Sequence, residues 1–195
     1  MGSGIQSAFM TTDLIPQITA QTKAWVDQVI VQFNLCPFAR REVEQQTIHY
    51  QVETSADIAE QLQALLKLIQ ELDTQPDIAT ALLILPNGVS DFDDYLDLVD
   101  YAERLLELEG YDGVYQLATF HPEYQFADSD ADDAANYTNR APYPMLHVLR
   151  EDSVANALAS YTKPERIPER NIDFARQKGA DFFAKILDDI AKIKS

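Results

Sequence analysis

Three stretches of the chain carry side chains whose types and spacing could do chemistry. Residues 34–41 read Asn-Leu-Cys-Pro-Phe-Ala-Arg-Arg. A thiol becomes a nucleophile when a nearby positive charge or dipole stabilises its thiolate. Arg40 and Arg41 are scarce cations close to Cys36, and a histidine base would complete such a site. The alternative is that Cys36 is a small hydrophobe at a helix end, packed with Leu35 and Phe38. Residues 119–126 read Thr-Phe-His-Pro-Glu-Tyr-Gln-Phe. Imidazole titrates near neutrality and suits proton transfer, so His121 is the candidate acid/base, with Glu123 beside it. The alternative is a histidine that only hydrogen-bonds the loop backbone. Residues 136–144 read Asn-Tyr-Thr-Asn-Arg-Ala-Pro-Tyr-Pro. Arg140, with the amide of Asn139 next to it, can grip a carboxylate or phosphate in a forked geometry. Alternatively, Arg140 pairs with an aspartate of the preceding loop.

Further candidates follow downstream. His147 alternates with Met145 and Leu149 on one face of a strand, where a satisfied core histidine is the common case. Arg150 points to the other face, where the alternative is that it only caps the strand end beside Glu151. Arg40, Asn139, Arg140, His147 and Arg150 together form the candidate substrate-binding set, and Cys36, His121 and Glu123 the candidate catalytic set. Asp128, Asp130 and Asp132 open like an EF-hand, but Asp133 stands where glycine is required and Asn139 where glutamate closes the loop. A solvated acidic loop is the favoured reading, with a looser hard-cation site that includes Glu123 as the alternative; the candidate site names no metal and no cofactor is expected. His49 belongs to no motif. A phosphate-binding glycine loop, a dinucleotide fingerprint, a Gly-x-Ser-x-Gly elbow and a His-Glu-x-x-His helix are all missing from the sequence.

These groups need a scaffold, and the composition supplies one. The chain has 195 residues, of which 46% are hydrophobic and 24% charged. That is enough apolar material to offset the ordering entropy of a single domain. Acidic residues number 32 against 15 basic, a net charge of −17. Such a surface repels phosphate backbones, so nucleic acid is not an expected partner. The apolar run 81–85 is far too short to span a bilayer, and no membrane partner is expected. Cys36 is the only cysteine, which excludes an internal disulfide and a multi-cysteine metal cage and suits a reducing cytoplasm. Residues 1–12 lack a signal-peptide pattern. They are taken as disordered, as an expression remnant or as an upstream start ahead of Met10, with residues 13–195 as one α/β domain.

Helices and strands alternate along that domain. The spacing of Ile18, Trp25, Val29 and Phe33 predicts a helix over 16–34, stopped by Pro37. A strand follows near 47–54. Ser55 is the expected cap of a helix carrying Ile58, Leu62, Leu65, Leu66, Ile69 and Leu72 on one stripe. Residues 79–85 read as a buried strand. Ser90 is the expected cap of the next helix, which Gly110 closes. Further strands are expected at 114–120 and 144–150, separated by a long loop with a short helix near 131–137. Asp152 or Ser153 opens a helix to about residue 161. Residues 163–170 read as a connector, and Asn171 as the cap of the last helix.

The fold class expected is therefore α/β, of the α+β mixed kind. It is a four-stranded mixed sheet with crossover helices packed on it. The first three strands run parallel to one another and the fourth antiparallel beside the third. Ligands of such sheets bind outside the carboxyl ends of the parallel strands. His121 and the loop carrying Arg140 fall at that edge, and the loop 37–46 could bring Cys36 there.

The blocks 34–39, 121–126 and 139–144, with His147 and the Arg150-Glu151 pair, together resemble the bacterial domain of unknown function 1415. The resemblance covers roughly residues 22–190. It implies a bacterial soluble domain and lends no reaction. Cys36, His121, Arg140, His147 and Arg150 are the positions that match its signature. The element order also faintly resembles thioredoxin-like folds, although no Cys-x-x-Cys follows the first strand. One thiol excludes dithiol redox chemistry within the chain.

The leading expectation is a cytoplasmic small-molecule enzyme with a thiol/histidine site and an arginine anchor for an anionic substrate. One alternative is a non-catalytic binding or regulatory module for an anionic metabolite. A second is an acidic domain that meets a basic protein partner.

Overall fold

The computed structural model describes residues 14–159 and 161–194. The reading of residues 1–12 lies outside the described residues. In chain order the elements are α1 (Ile15–Trp25), a π turn (Val26–Val31), α2 (Ala39–Gln45), β1 (Ile48–Val52), α3 (Ile58–Thr74), β2 (Thr80–Ile84), α4 (Phe92–Leu108) and β3 (Tyr115–Phe120). A 3-10 turn (Ala134–Thr138), β4 (Met145–Arg150), α5 (Glu151–Ala159), a second 3-10 turn (Pro164–Arg166), α6 (Ile167–Lys178) and α7 (Ala180–Ala191) complete it. The chain is a mixed α/β fold around one four-stranded sheet.

The strand order is β1-β2-β4-β3. β1 and β2 are parallel, with Ile48 opposite Thr80 and Val52 opposite Ile84. β4 is antiparallel to both neighbours, placing His147 beside Leu82 on one side and Ala118 on the other. The first three strands thus share one direction, and the fourth opposes the third. The sequence does not show that β4 inserts between β2 and β3. The reason is burial. Met145, Leu146 and Val148 are all fully buried, so β4 needs cover on both faces. β3 leaves Gln116 exposed and takes an edge.

Alternate residues of the central strands feed two cores. On one face Ala81, Leu83, Leu85, Leu146 and Val148 pack against Leu65, Leu68, Ile69 and Leu72 of α3 and Tyr95 and Leu98 of α4. On the other, Leu82, Ile84 and Met145 pack against Trp25, Val29, Phe183 and Ile190. A side chain of this size contributes about 1.5–3 kcal/mol when fully buried. No helix among the described residues is long and apolar enough to cross a membrane.

Several helix ends differ from the sequence reading. Asp57, not Ser55, caps α3 by accepting the Glu60 N–H at 3.1 Å. Asp91, not Ser90, caps α4 by accepting from Asp93 and Asp94. Carboxylates win because they gain from the helix dipole as well as from the hydrogen bond. α5 begins directly at the end of β4, at Glu151. Asn171 lies inside α6 instead of capping the last helix, and the break comes at Gly179, whose φ is +84°. Loop 37–46 contains the short helix α2.

Candidate functional site

The first helix changes pitch before it reaches Cys36. In the π turn, the Gln32 N–H reaches back to the Asp27 carbonyl at 3.0 Å, and the Leu35 N–H reaches Ile30 at 2.9 Å. Such turns often mark functional positions. The wider turn ends at Asn34, which adopts left-handed backbone with φ +54°, a conformation asparagine tolerates. Arg40 reaches back to cap this end, its Nη2 donating to the Val31 carbonyl at 3.3 Å. Arg41 lies exposed, 3.9 Å from Glu42.

Cys36 is half-buried and packs against the α1/α7 core. Burial pushes its thiol above the ordinary value, and the backbone N–H groups of Phe38 and Ala39 act in the opposite direction without overcoming it. A thiol in this state is a weak nucleophile at neutral pH.

His121 sits on the other face of the sheet. Its ring packs 5.0 Å from Tyr95 and 5.2 Å from Phe92, and the residue is fully buried. Nδ1 accepts the Glu123 N–H at 3.0 Å, which leaves the proton on Nε2 to donate to the Val89 carbonyl at 3.1 Å. Burial lowers its pKa. Both ring nitrogens are therefore committed to backbone. Glu123 contributes that N–H and keeps an exposed side chain.

The arginine block is also committed. Arg140 Nε donates to the Tyr124 carbonyl at 3.1 Å, and Nη2 donates to Ala131 at 2.8 Å. Its guanidinium lies 4.7 Å from the Tyr137 ring, and its own carbonyl accepts the Trp25 indole N–H at 3.1 Å. The expected aspartate partner goes elsewhere: Asp133 takes Arg176 through Nε and Nη2, at 3.1 and 2.7 Å. Asn139 Nδ2 donates to the Thr119 carbonyl at 3.0 Å. These bonds close the long loop against the end of β3.

His147 and Arg150 lie along β4, away from that loop. His147 Nε2 is 2.7 Å from the Thr80 hydroxyl. That hydroxyl donates to the Val148 carbonyl at 2.6 Å, so the imidazole is the donor between them. Burial lowers the His147 pKa to about 4. Arg150 caps the carboxyl end of α3. It donates to the carbonyls of Leu72 and Ile78, and its Nη1 donates to the Tyr115 hydroxyl at 3.0 Å. The structure thus brings His121, Glu123, Asn139 and Arg140 to one edge as expected. It sets Cys36 across the sheet from His121, and Arg150 at the opposite end of the strands.

A feature the sequence reading passed over lies beside Cys36. A groove of about 520 Å³ opens at the start of α6. Lys163, Arg166 and Arg170 line it, with Tyr161 and Ile167 as apolar wall. Glu169 and Asp173 also reach the groove. Glu169 lies 3.6 Å from Arg166, and the charge of Asp173 acts on Arg176. α6 starts there with no side-chain cap, so its positive dipole end faces the same region, while the Ile167 N–H donates to the Pro164 carbonyl and Pro168 has no N–H. Two groove residues, Arg170 and Tyr161, and the adjacent Asn171 touch the cysteine block. Arg170 Nη2 donates to the Asn34 carbonyl. Asn171 Nδ2 donates to the Leu35 carbonyl at 2.7 Å. The Tyr161 ring meets Phe38 edge-on, with centroids 5.8 Å apart. The signal in the sequence was a charge anomaly. Five of the 15 basic residues of an acidic chain fall between 163 and 178.

No group of three or more histidine, cysteine, aspartate or glutamate side chains among the described residues could hold a metal ion. In comparisons with known proteins, no curated protein and no solved structure matched the chain. A family model described as a protein of unknown function (DUF1415) matched residues 17–185, from the first turn of α1 into α7. The match spans the cysteine block, both loop blocks and the groove, and the chain belongs to this family.

Proposed function

We propose that this chain binds a small anionic metabolite in the groove at the start of α6, beside the Cys36 segment. One observation carries the reading: Lys163, Arg166 and Arg170 converge on one concavity of a protein whose net charge is −17. Cations gathered against such a background focus the local potential toward anions. The positive dipole end of α6 adds to that field at the same place. The Arg140 and Arg150 guanidinium groups hold backbone carbonyls, and Arg170 holds Asn34 and Asn171, so Lys163 and Arg166 are the groove cations that would meet the anion.

The enzymatic reading keeps one supporting observation. The segment holding Cys36 borders the groove through Asn34, Leu35 and Phe38, so a bound substrate would lie near the chain's one thiol. This enzyme would use the groove cations as its anchor and would not need His121. In either form the protein is proposed to work in the bacterial cytoplasm, where an unpaired thiol persists.

Thermal unfolding in a panel of organic carboxylates and phosphates tests the proposal, with chloride matched for ionic strength. A ligand raises the midpoint by mass action. The rise is expected for at least one anion and is lost in Lys163→Gln/Arg166→Gln. Stabilisation that survives in that variant places the anion elsewhere and sinks the proposal.

A further inference from the structure

We infer that the ligand of this groove is a flat ring bearing the anionic group, an aromatic phosphate or carboxylate. This inference rests on the anion-binding reading above and adds the chemistry of the ligand's body. Size argues first. A groove of about 520 Å³ falls in the range that holds whole organic ligands, about 300–1,000 Å³. A bare phosphate or acetate would leave most of it to water. The wall argues second. Tyr161 lines the groove and keeps 37% of its surface exposed. Its edge-on contact with Phe38 (interplanar angle 77°) fixes the ring from one side. Ile167 continues the apolar surface. A small ion would use the cations and leave this wall wet. A planar ring covers it, by stacking on Tyr161 or on a guanidinium plane, while its anionic group meets Lys163 and Arg166.

Titration calorimetry on the full chain separates the possibilities. The probes are phenyl phosphate and benzoate, each against its ringless counterpart, inorganic phosphate and acetate. The aromatic probe is expected to bind about tenfold tighter than its counterpart, the size of one good aromatic contact plus partial ring burial. Tyr161→Leu keeps an apolar contact for Phe38 but removes the stacking plane, and should abolish most of that advantage. Tyr161 is exposed, so the variant is expected to fold, which its unfolding midpoint checks. Lys163→Gln should weaken aromatic and ringless probes alike. Equal affinities for ring and ringless probes overturn this inference and leave the anion site standing. An aromatic advantage that persists in Tyr161→Leu overturns it too. If no probe binds, both this inference and the anion-binding reading fall.

Discussion

Asn171 on α6 donates its side-chain amide to the carbonyl of Leu35 at 2.7 Å, across 136 positions of sequence. With Arg170 on Asn34, it makes α6 the support of the segment that carries Cys36. The groove and the thiol are therefore mechanically joined.

Removing that support should be visible at the sulfur. Asn171→Ala leaves the Leu35 carbonyl unpaired and should cost about 1–3 kcal/mol. The alkylation rate of Cys36 should rise as the segment loosens. Measured side by side with wild type below the unfolding transition, an unchanged rate would show that α6 does not hold the thiol.

His121 is predicted to act as a brace between two loops. Its ring joins Val89 to Glu123, so His121→Ala should destabilise by about 2–4 kcal/mol, through a cavity and two lost backbone partners. The pH dependence of Cys36 alkylation should keep its midpoint in the same variant. A shifted midpoint would bring the two residues into one working site after all.

His147 predicts an acid sensitivity. Burial holds its folded pKa at about 4 against an ordinary 6.5. The unfolded chain therefore binds the proton first, and stability falls as pH drops from 6.5 toward 4. Each pH unit in that window costs about 1.4 kcal/mol, so His147 accounts for at most about 3 kcal/mol. His121, also lowered, adds in the same direction. His147→Gln, which can still donate to Thr80, should flatten the slope of unfolding free energy between pH 6.5 and 4. A slope unchanged in the variant would assign the acid sensitivity to other groups.

Gly88 should resist substitution. Its φ is +88°, and an added Cβ would lie 2.6 Å from the backbone oxygen of Ala56. That contact lets the loop after β2 lie on the loop after β1, where Asn87 Nδ2 donates to the Thr54 carbonyl at 2.8 Å. Gly88→Ala combines a disfavoured backbone with a backbone clash and should cost more than about 2 kcal/mol in chemical denaturation. A cost below about 0.5 kcal/mol would mean the two loops separate freely.

Patterns that one element carries by itself were legible in the sequence. The stripe of Leu65, Ile69 and Leu72 gave α3, the apolar run 81–85 gave β2, and alternation of directions gave a mixed sheet. What escaped depended on partners distant in sequence. The position of β4 follows from cover on both faces by helices that come before and after it. The π turn has no composition signal, because its hydrogen bonds are set by where Leu35 must go. For His121 the sequence left an acid/base and a loop-bonding histidine both open, because its two partners are backbone groups, which every residue possesses. Arg140 and Arg150 looked like ligand anchors for the same reason. The groove was hidden in a stretch read as a connector, although its charge stood out.

Backbone amide NMR of the labelled protein during titration with phenyl phosphate decides whether the anion sits in the groove at the start of α6. Binding there gives saturable shifts clustered at residues 161–173 and 34–38, absent in Lys163→Gln/Arg166→Gln. Shifts centred on residues 121–124 and 136–144 instead, or none at all, would contradict it.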